Sequence, residues 1–142
     1  MRHHLILRVV SKLLIPFILL YALYVQFHGD YGPGGGFQAG VIFAAGFVLY
    51  ALIFGVQAAR KAFPDSWLGI LIPLGVLIYA GTGVASLLLG GTFLDYDVLA
   101  STPTGGQHIG ILLVEFGVGV TVTAVMIAIF FAYAGRTREI QD

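Results

Sequence analysis

The sequence contains no cysteine among its 142 residues, and it has few charged residues of either sign. Without cysteine, the chain has no disulfides, no thiolate metal ligands and no thiol nucleophile. Only 10% of its residues are charged, whereas an average soluble domain has roughly 25%. Seven basic residues balance seven acidic ones, so the net charge gives no reason to expect a nucleic-acid partner.

Apolar sequence takes the place of the missing charge. Hydrophobic residues make up 58% of the chain, and the mean hydropathy is +0.96. Continuous apolar runs, each long enough to cross a hydrocarbon core of about 30 Å, cover about 5–27, 37–58, 67–90 and 109–134. These runs do not alternate with a period of two, which favours helices over the strands of a membrane barrel. We therefore predict an all-α integral membrane protein in which residues 1–142 form one domain with four transmembrane helices.

The basic residues are distributed unevenly along the chain. They lie in or near the two tails and in the second loop: Arg2, Arg8, Lys12, Arg60, Lys61, Arg136 and Arg138. The other two loops, 28–36 and 91–108, contain aspartate but no lysine or arginine. With four spans all seven cations fall on one side, so the positive-inside rule predicts that both termini are cytoplasmic. The segment Tyr21–Phe27 lacks a small-x-small cleavage site, so we expect the first run to remain as a helix rather than leave as a signal peptide.

The most unusual segment is the glycine-rich stretch that opens the second helix. Its candidate packing residues are Pro33, Gly34, Gly35, Gly36, Phe37, Gln38 and Gly40. Gly36, Gly40 and Ala44 recur at four-residue spacing, which gives the helix a small face for close packing. The start of this helix could instead hold an anion or a partner carboxylate. A phosphate-binding loop is excluded, because the run lacks the required lysine and Ser/Thr.

This segment also carries a family resemblance. A basic apolar helix followed by His-Gly-x-x-x-Pro-Gly-Gly-Gly-Phe-Gln-Ala-Gly at 28–40 resembles the B subunit, or MnhB domain, of Mrp-type multisubunit sodium/proton antiporters. The resemblance covers nearly the whole chain. It implies a small subunit of a large bacterial inner-membrane complex, with other membrane subunits as partners, Na⁺ and H⁺ as transported ions and no cofactor. Related domains in ion-pumping hydrogenases keep a second assignment open.

Glu115 is the clearest chemical candidate in the spans. A carboxylate is costly in lipid and should face protein or water, either as part of a proton or cation route or as a buried hydrogen-bond anchor. His108 lies seven residues earlier on nearly the same helix face. The axial gap is about 10 Å, so we expect water or a group from another subunit to bridge it.

Three further residues are weaker route candidates. Lys12 lies on the same face of the first helix as Arg8, and it either faces a hydrated path or extends its amine to the membrane interface. His28 and Asp30 flank the glycine run, where they either line an ion entrance or hydrogen-bond the turn.

The spans contain too few polar groups for an autonomous ion pathway. We therefore predict a non-autonomous subunit of a cation/proton antiporter that supports assembly, with a possible share in the ion route. The alternatives are a subunit of a hydrogenase-type complex and a small homo-oligomeric channel or carrier. No nucleophile–base set or metal constellation can be assembled, which argues against an enzyme, a metal site or a cofactor.

Overall fold

The computed structural model describes residues 5–136, and this part of the chain is helical and contains no strand. The helices are Leu5–Gln26 (α1), Gly36–Phe54 (α2), Val56–Ala62 (α3), Asp65–Leu88 (α4) and Pro103–Arg136 (α5), with a short 3-10 helix at Tyr96–Leu99. Helices α1, α2, α4 and α5 are long and apolar enough to cross a membrane. The predicted all-α class and the four apolar spans are confirmed.

The four long helices pack in a row rather than in chain order. Helix α2 packs between α1 and α5, and α5 packs between α2 and α4. Buried residues concentrate on the two central helices, where small side chains such as Ala44 and Ala124 allow close approach. The flanking helices α1 and α4 expose long apolar faces, as expected of helices whose solvent is lipid.

The small-residue faces pack largely within the chain itself. On α2, Gly36, Gly40 and Ala44 are all buried, and Gly40 lies against Val122 and the Gly119 carbonyl of α5. On α4, Gly75 and Gly83 are buried, whereas Gly81 is exposed with open space around it.

The second apolar run is two helices rather than one. Helix α2 ends at Phe54, four residues before the expected end, and α3 begins at Val56. The break is Gly55, whose φ of 98° lies in the region that favours glycine, and whose amide caps α2 by bonding to the Ala51 carbonyl at 2.9 Å. Hydropathy gave no warning of this break, because the residues on both sides are apolar.

The last helix begins at Pro103, six residues before the start expected from hydropathy. Proline suits the first position of a helix because its missing amide would be unpaired there. The Thr102 hydroxyl accepts a hydrogen bond from the Gly105 amide at 3.3 Å and caps the helix. The first turns of α5 are polar, so the hydropathy of the chain alone could not include them in the span.

Basic side chains gather at one end of the helix axes, where α1 begins and where α2 and α5 end. We call it the basic end of the row. The guanidinium of Arg8 and the amine of Lys12 lie over the Phe54 ring at the end of α2. Arg60 lies over the Phe131 ring near the end of α5, whereas Asp30 and His108 lie at the opposite end. Arg2 and Arg138, which also supported the predicted sidedness, lie outside the described residues. The cytoplasmic position of the termini stays a prediction.

Arg60 ties three helices together at the basic end. Its Nη1 donates to Asp65 of α4 at 3.0 Å, and its Nη2 donates to the Phe131 carbonyl of α5 at 3.3 Å. We expect Arg60→Gln to lower the free energy of unfolding by about 1–2 kcal/mol, mostly through the lost bond to the carbonyl. Thermal denaturation in detergent measures the loss. The matched control is Lys61→Gln, an exposed neighbour of equal charge, and an equal loss in that control would contradict the role of Arg60.

Candidate functional site

A cleft of about 220 Å³ opens between the loop after α1 and the first half of α5. We call it the outer cleft, because the predicted topology places this end of the helices outside the cytoplasm. Its lining residues are Gln26, Phe27, Asp30, Tyr31, His108, Ile111, Leu112 and Glu115. The cleft brings together Asp30, His108 and Glu115, three of the five ionisable residues proposed from sequence for an ion route.

The loop that forms one wall of the cleft folds back onto the end of α1. The amides of Tyr31 and Gly32 both donate to the His28 carbonyl, at 3.0 and 3.1 Å. The Gly35 amide donates to the Val25 carbonyl at 3.1 Å. These bonds hold the loop as a tight turn beside α5 and place Asp30 against that helix.

Asp30 and His108 close one side of the cleft. The Asp30 carboxylate is hydrogen-bonded to Nδ1 of His108 across 78 residues of sequence. An ionised carboxylate only accepts hydrogen bonds, so Nδ1 is the donor, and a protonated His108 makes the contact an ion pair. The Asp30 side chain is 22% exposed. His108 therefore has its hydrogen-bond partner, Asp30, within the same chain.

Glu115 sits in a cradle made by glycines of the loop. At Gly29 a Cβ atom would overlap the Glu115 carboxylate, and at Gly36 it would overlap the backbone carbonyl of Glu115. At Gly35, where φ is 114°, a Cβ would lie 2.8 Å from Oε1. The backbone of α5 requires a glycine at Gly36, and the positive φ favours one at Gly35, whereas at Gly29 only the flexible end of Glu115 would have to move. We call the three glycines the glycine cradle.

The glycine cradle also places the Glu115 carboxylate at the N-terminus of α2. This end of a helix carries unpaired amides and a partial positive charge, which favour a nearby anion. Within residues 5–136, no side chain or amide donates a hydrogen bond to this half-buried carboxylate, and it faces the outer cleft. The described residues thus supply a favourable field for the charge, but they form no hydrogen bond to it.

The other two ionisable candidates lie apart from this group. The His28 ring stacks on Tyr24 with their centroids 5.1 Å apart and does not line the cleft. The Lys12 amine lies 5.7 Å from the centre of the Phe54 ring, at the basic end of the row. Among residues 5–136, no group of three histidine, aspartate or glutamate side chains could hold a metal ion.

The glycine-rich segment divides into an inner and an outer set. Gly34, Gly35, Gly36 and Gly40 approach the backbone or side chains of α1 and α5 within the chain. By contrast, the side chains beside them are exposed at the surface of the described chain: Pro33, Phe37 and Gln38. The glycines thus serve packing inside this subunit, and the exposed residues are free to contact lipid or another chain.

Comparison with known proteins gives one family for nearly the whole chain. The family model described as a domain related to the MnhB subunit of Na⁺/H⁺ antiporter matches residues 6–128. Relatives named "Putative antiporter subunit mnhB2" from Staphylococcus aureus strains Newman, COL and USA300 are 33% identical over 133 residues. Each of these alignments covers 92% of this chain and 94% of the relative.

Proposed function

The chain belongs to the family of domains related to the MnhB subunit of Na⁺/H⁺ antiporters, and we propose that it serves that assembly in two ways. It is a membrane subunit of a multisubunit Na⁺/H⁺ antiporter, a transporter component rather than an enzyme. Its first task is to support assembly with the other membrane subunits. Its second is to supply the outer part of a proton or cation route, and the observation that carries this is Glu115 in the glycine cradle.

The route proposal follows from the cost of a charge inside the bilayer. A carboxylate in a membrane span is expensive unless it faces protein or water, and such residues mark ion and proton paths. Glu115 lies beside the outer cleft, where Asp30 and His108 also lie. These three groups can take up and release protons, or attract a cation, at the outer cleft.

The route cannot be completed by this chain. From 116 to 135 the sequence of α5 contains no aspartate, glutamate, histidine or lysine, and Arg8, Lys12 and Arg60 at the other end lie over aromatic rings. Transporters build their sites from several polar groups near the midplane. A neighbouring subunit must therefore carry the ion onward, which is why we propose a non-autonomous subunit.

The assembly proposal rests on the side chains beside the glycine cradle. Phe37 is 62% exposed on the first turn of α2, and Pro33 and Gln38 are exposed next to it. An exposed aromatic side chain next to a rigid, closely packed backbone is a suitable contact for another helix. Copurification in mild detergent separates the possible assemblies: antiporter subunits support the proposal, whereas hydrogenase subunits or a transporting homo-oligomer contradict it.

We propose a bacterial inner-membrane location with both termini in the cytoplasm, and the lack of cysteine makes this easy to test. A membrane-impermeant maleimide is expected to label Ser101→Cys in intact spheroplasts, since Ser101 is exposed in the loop before α5. Lys61→Cys, exposed at the basic end, should react only after permeabilisation. Labelling of Lys61→Cys but not Ser101→Cys in intact cells would reverse the proposed sidedness.

The Asp30–His108 bond offers a test of the outer cleft. We expect Asp30→Asn to lower Na⁺-driven proton movement roughly tenfold, because a hydrogen bond to a charged group contributes about 1.5–3 kcal/mol. Fluorescence recovery of a ΔpH dye in everted vesicles measures the activity. The control is Asp97→Asn, since Asp97 is an exposed aspartate that bonds to Gln107 at 2.8 Å and does not line the cleft. Equal losses in both variants would argue against the outer cleft as the ion entrance.

A further inference from the structure

A second cavity lies at the basic end of the row, between α1 and α2. Its volume is about 200 Å³, and we call it the α1–α2 groove. Its lining is almost wholly apolar: Ile15, Leu19, Gly46, Phe47, Tyr50 and Ala62. At Gly46 an added Cβ would lie 2.9 Å from Cδ2 of Leu19. The two helices therefore approach each other closely at the Gly46 position of the groove.

Two cations precede this groove along α1, although neither of them lines it. Arg8 and Lys12 are spaced four residues apart, and Ile15 and Leu19 continue the same stripe along α1 at spacings of three and four. The Arg8 guanidinium carbon lies 5.4 Å and the Lys12 amine 5.7 Å from the centre of the Phe54 ring. That ring packs 4.8 Å from the ring of Tyr50, which lines the groove.

The charges of this pair are not neutralised within the described chain. No carboxylate among residues 5–136 forms an ion pair with Arg8 or Lys12. Contact with one aromatic face leaves the hydrogen-bond donors of both side chains available to an anion. Because two cations with no ion-pair partner among residues 5–136 share one site, the complementary ligand is anionic.

We propose that the α1–α2 groove and this cation pair together bind one anionic phospholipid. Arg8 and Lys12 hold its phosphate, and the groove holds the first part of one acyl chain. From Lys12 to Leu19 the helix rises about 10 Å, which is within one leaflet of a hydrocarbon core of about 30 Å. A lipid fits better than an acidic protein segment. Beyond the cations the groove is lined by apolar side chains along α1, and an acyl chain suits such a lining whereas an acidic segment does not.

This inference does not depend on the ion route. It gives Lys12 a role that differs from both sequence-based alternatives, a hydrated path and simple extension to the interface. It also concerns the end of the row opposite to Glu115, so the two proposals can fail separately.

The test measures lipid binding to the antiporter complex purified in mild detergent, by native mass spectrometry with added dioleoyl phosphatidylglycerol. Two cations near a membrane surface are worth about a factor of thirty in binding an anionic lipid. We therefore expect the double variant Arg8→Gln/Lys12→Gln to bind phosphatidylglycerol roughly thirtyfold more weakly. Lys61→Gln, an exposed cation at the same end, should bind like the wild type, and Lys12→Arg should retain binding.

Further arms separate the headgroup from the chain. Ala62→Phe places a large side chain at the groove and should lower phosphatidylglycerol binding while leaving both cations in place. Glycerol 3-phosphate, which has the phosphate but no chain, should bind far more weakly than the lipid. The proposal is overturned if the double variant binds phosphatidylglycerol like the wild type. It is also overturned if phosphatidylcholine binds as well as phosphatidylglycerol, or if glycerol 3-phosphate binds as tightly as the lipid.

Discussion

Replacing Gly36 with alanine is expected to remove most of the assembled antiporter from the membrane. A Cβ at this position would overlap the backbone carbonyl of Glu115, and a backbone cannot turn aside as a flexible side chain can. Helices α2 and α5 would have to separate at this contact. Overpacking of this kind costs about 1–3 kcal/mol and sometimes more, and here the two helices form the centre of the row.

The measurement is native gel electrophoresis of solubilised membranes, with an immunoblot of this subunit. The matched control is Gly81→Ala, a helical glycine where an added Cβ meets nothing within 4 Å. That variant should assemble normally, since alanine is favoured over glycine inside a helix by about 1 kcal/mol. Wild-type amounts of complex in Gly36→Ala would show that the glycine cradle is not required for assembly.

Replacing Glu115 with glutamine is expected to abolish most of the antiport activity while the complex still forms. Glutamine has nearly the same shape, so it can occupy the same glycine cradle, but it can neither carry a charge nor exchange a proton. We expect a loss of roughly a hundredfold, the lower end of the range that a positioned proton-transfer group contributes to a reaction. Fluorescence recovery of a ΔpH dye on adding NaCl to everted vesicles measures it.

Two outcomes would assign Glu115 a different role. Wild-type activity in Glu115→Gln would show that the charge is not needed, and that the residue only fills space in the cradle. Loss of both complex and activity would indicate packing rather than transport. Glu115→Asp retains a carboxylate but shortens its reach, so it should keep part of the activity if the charge is what matters.

The pattern of charge and hydropathy along the sequence was sufficient to predict the all-α membrane architecture of this protein. The low charge and the four long apolar runs predicted an all-α membrane protein, because a span must satisfy its own backbone in lipid. The motif at 28–40 led to the family, since it combines glycines and a proline that only a specific backbone arrangement requires. Hydropathy failed at the ends: it ran through Gly55, where the residues are apolar but the backbone turns, and it missed the polar first turns of α5.

The order of the helices in space could not be derived from these patterns. Helix α5 packs between α2 and α4, and nothing in the hydropathy of one span tells which other span it touches. Small-residue spacing marked Gly36 and Gly40 as a packing face, but it could not distinguish a partner within the chain from a partner subunit. Close approach is a property of two surfaces, and the sequence of one helix describes only one of them.

The sequence by itself determined which residues are costly in a bilayer, and Glu115 stood out because a lone carboxylate in an apolar run has a large solvation penalty. Only the tertiary structure decided what surrounds it. Asp30 reaches His108 across 78 residues, and the loop glycines close around Glu115 because the turn after α1 folds back onto α5. Periodicity reports which face a residue occupies on its own helix, whereas a site is formed by faces that the chain brings together only after it has folded.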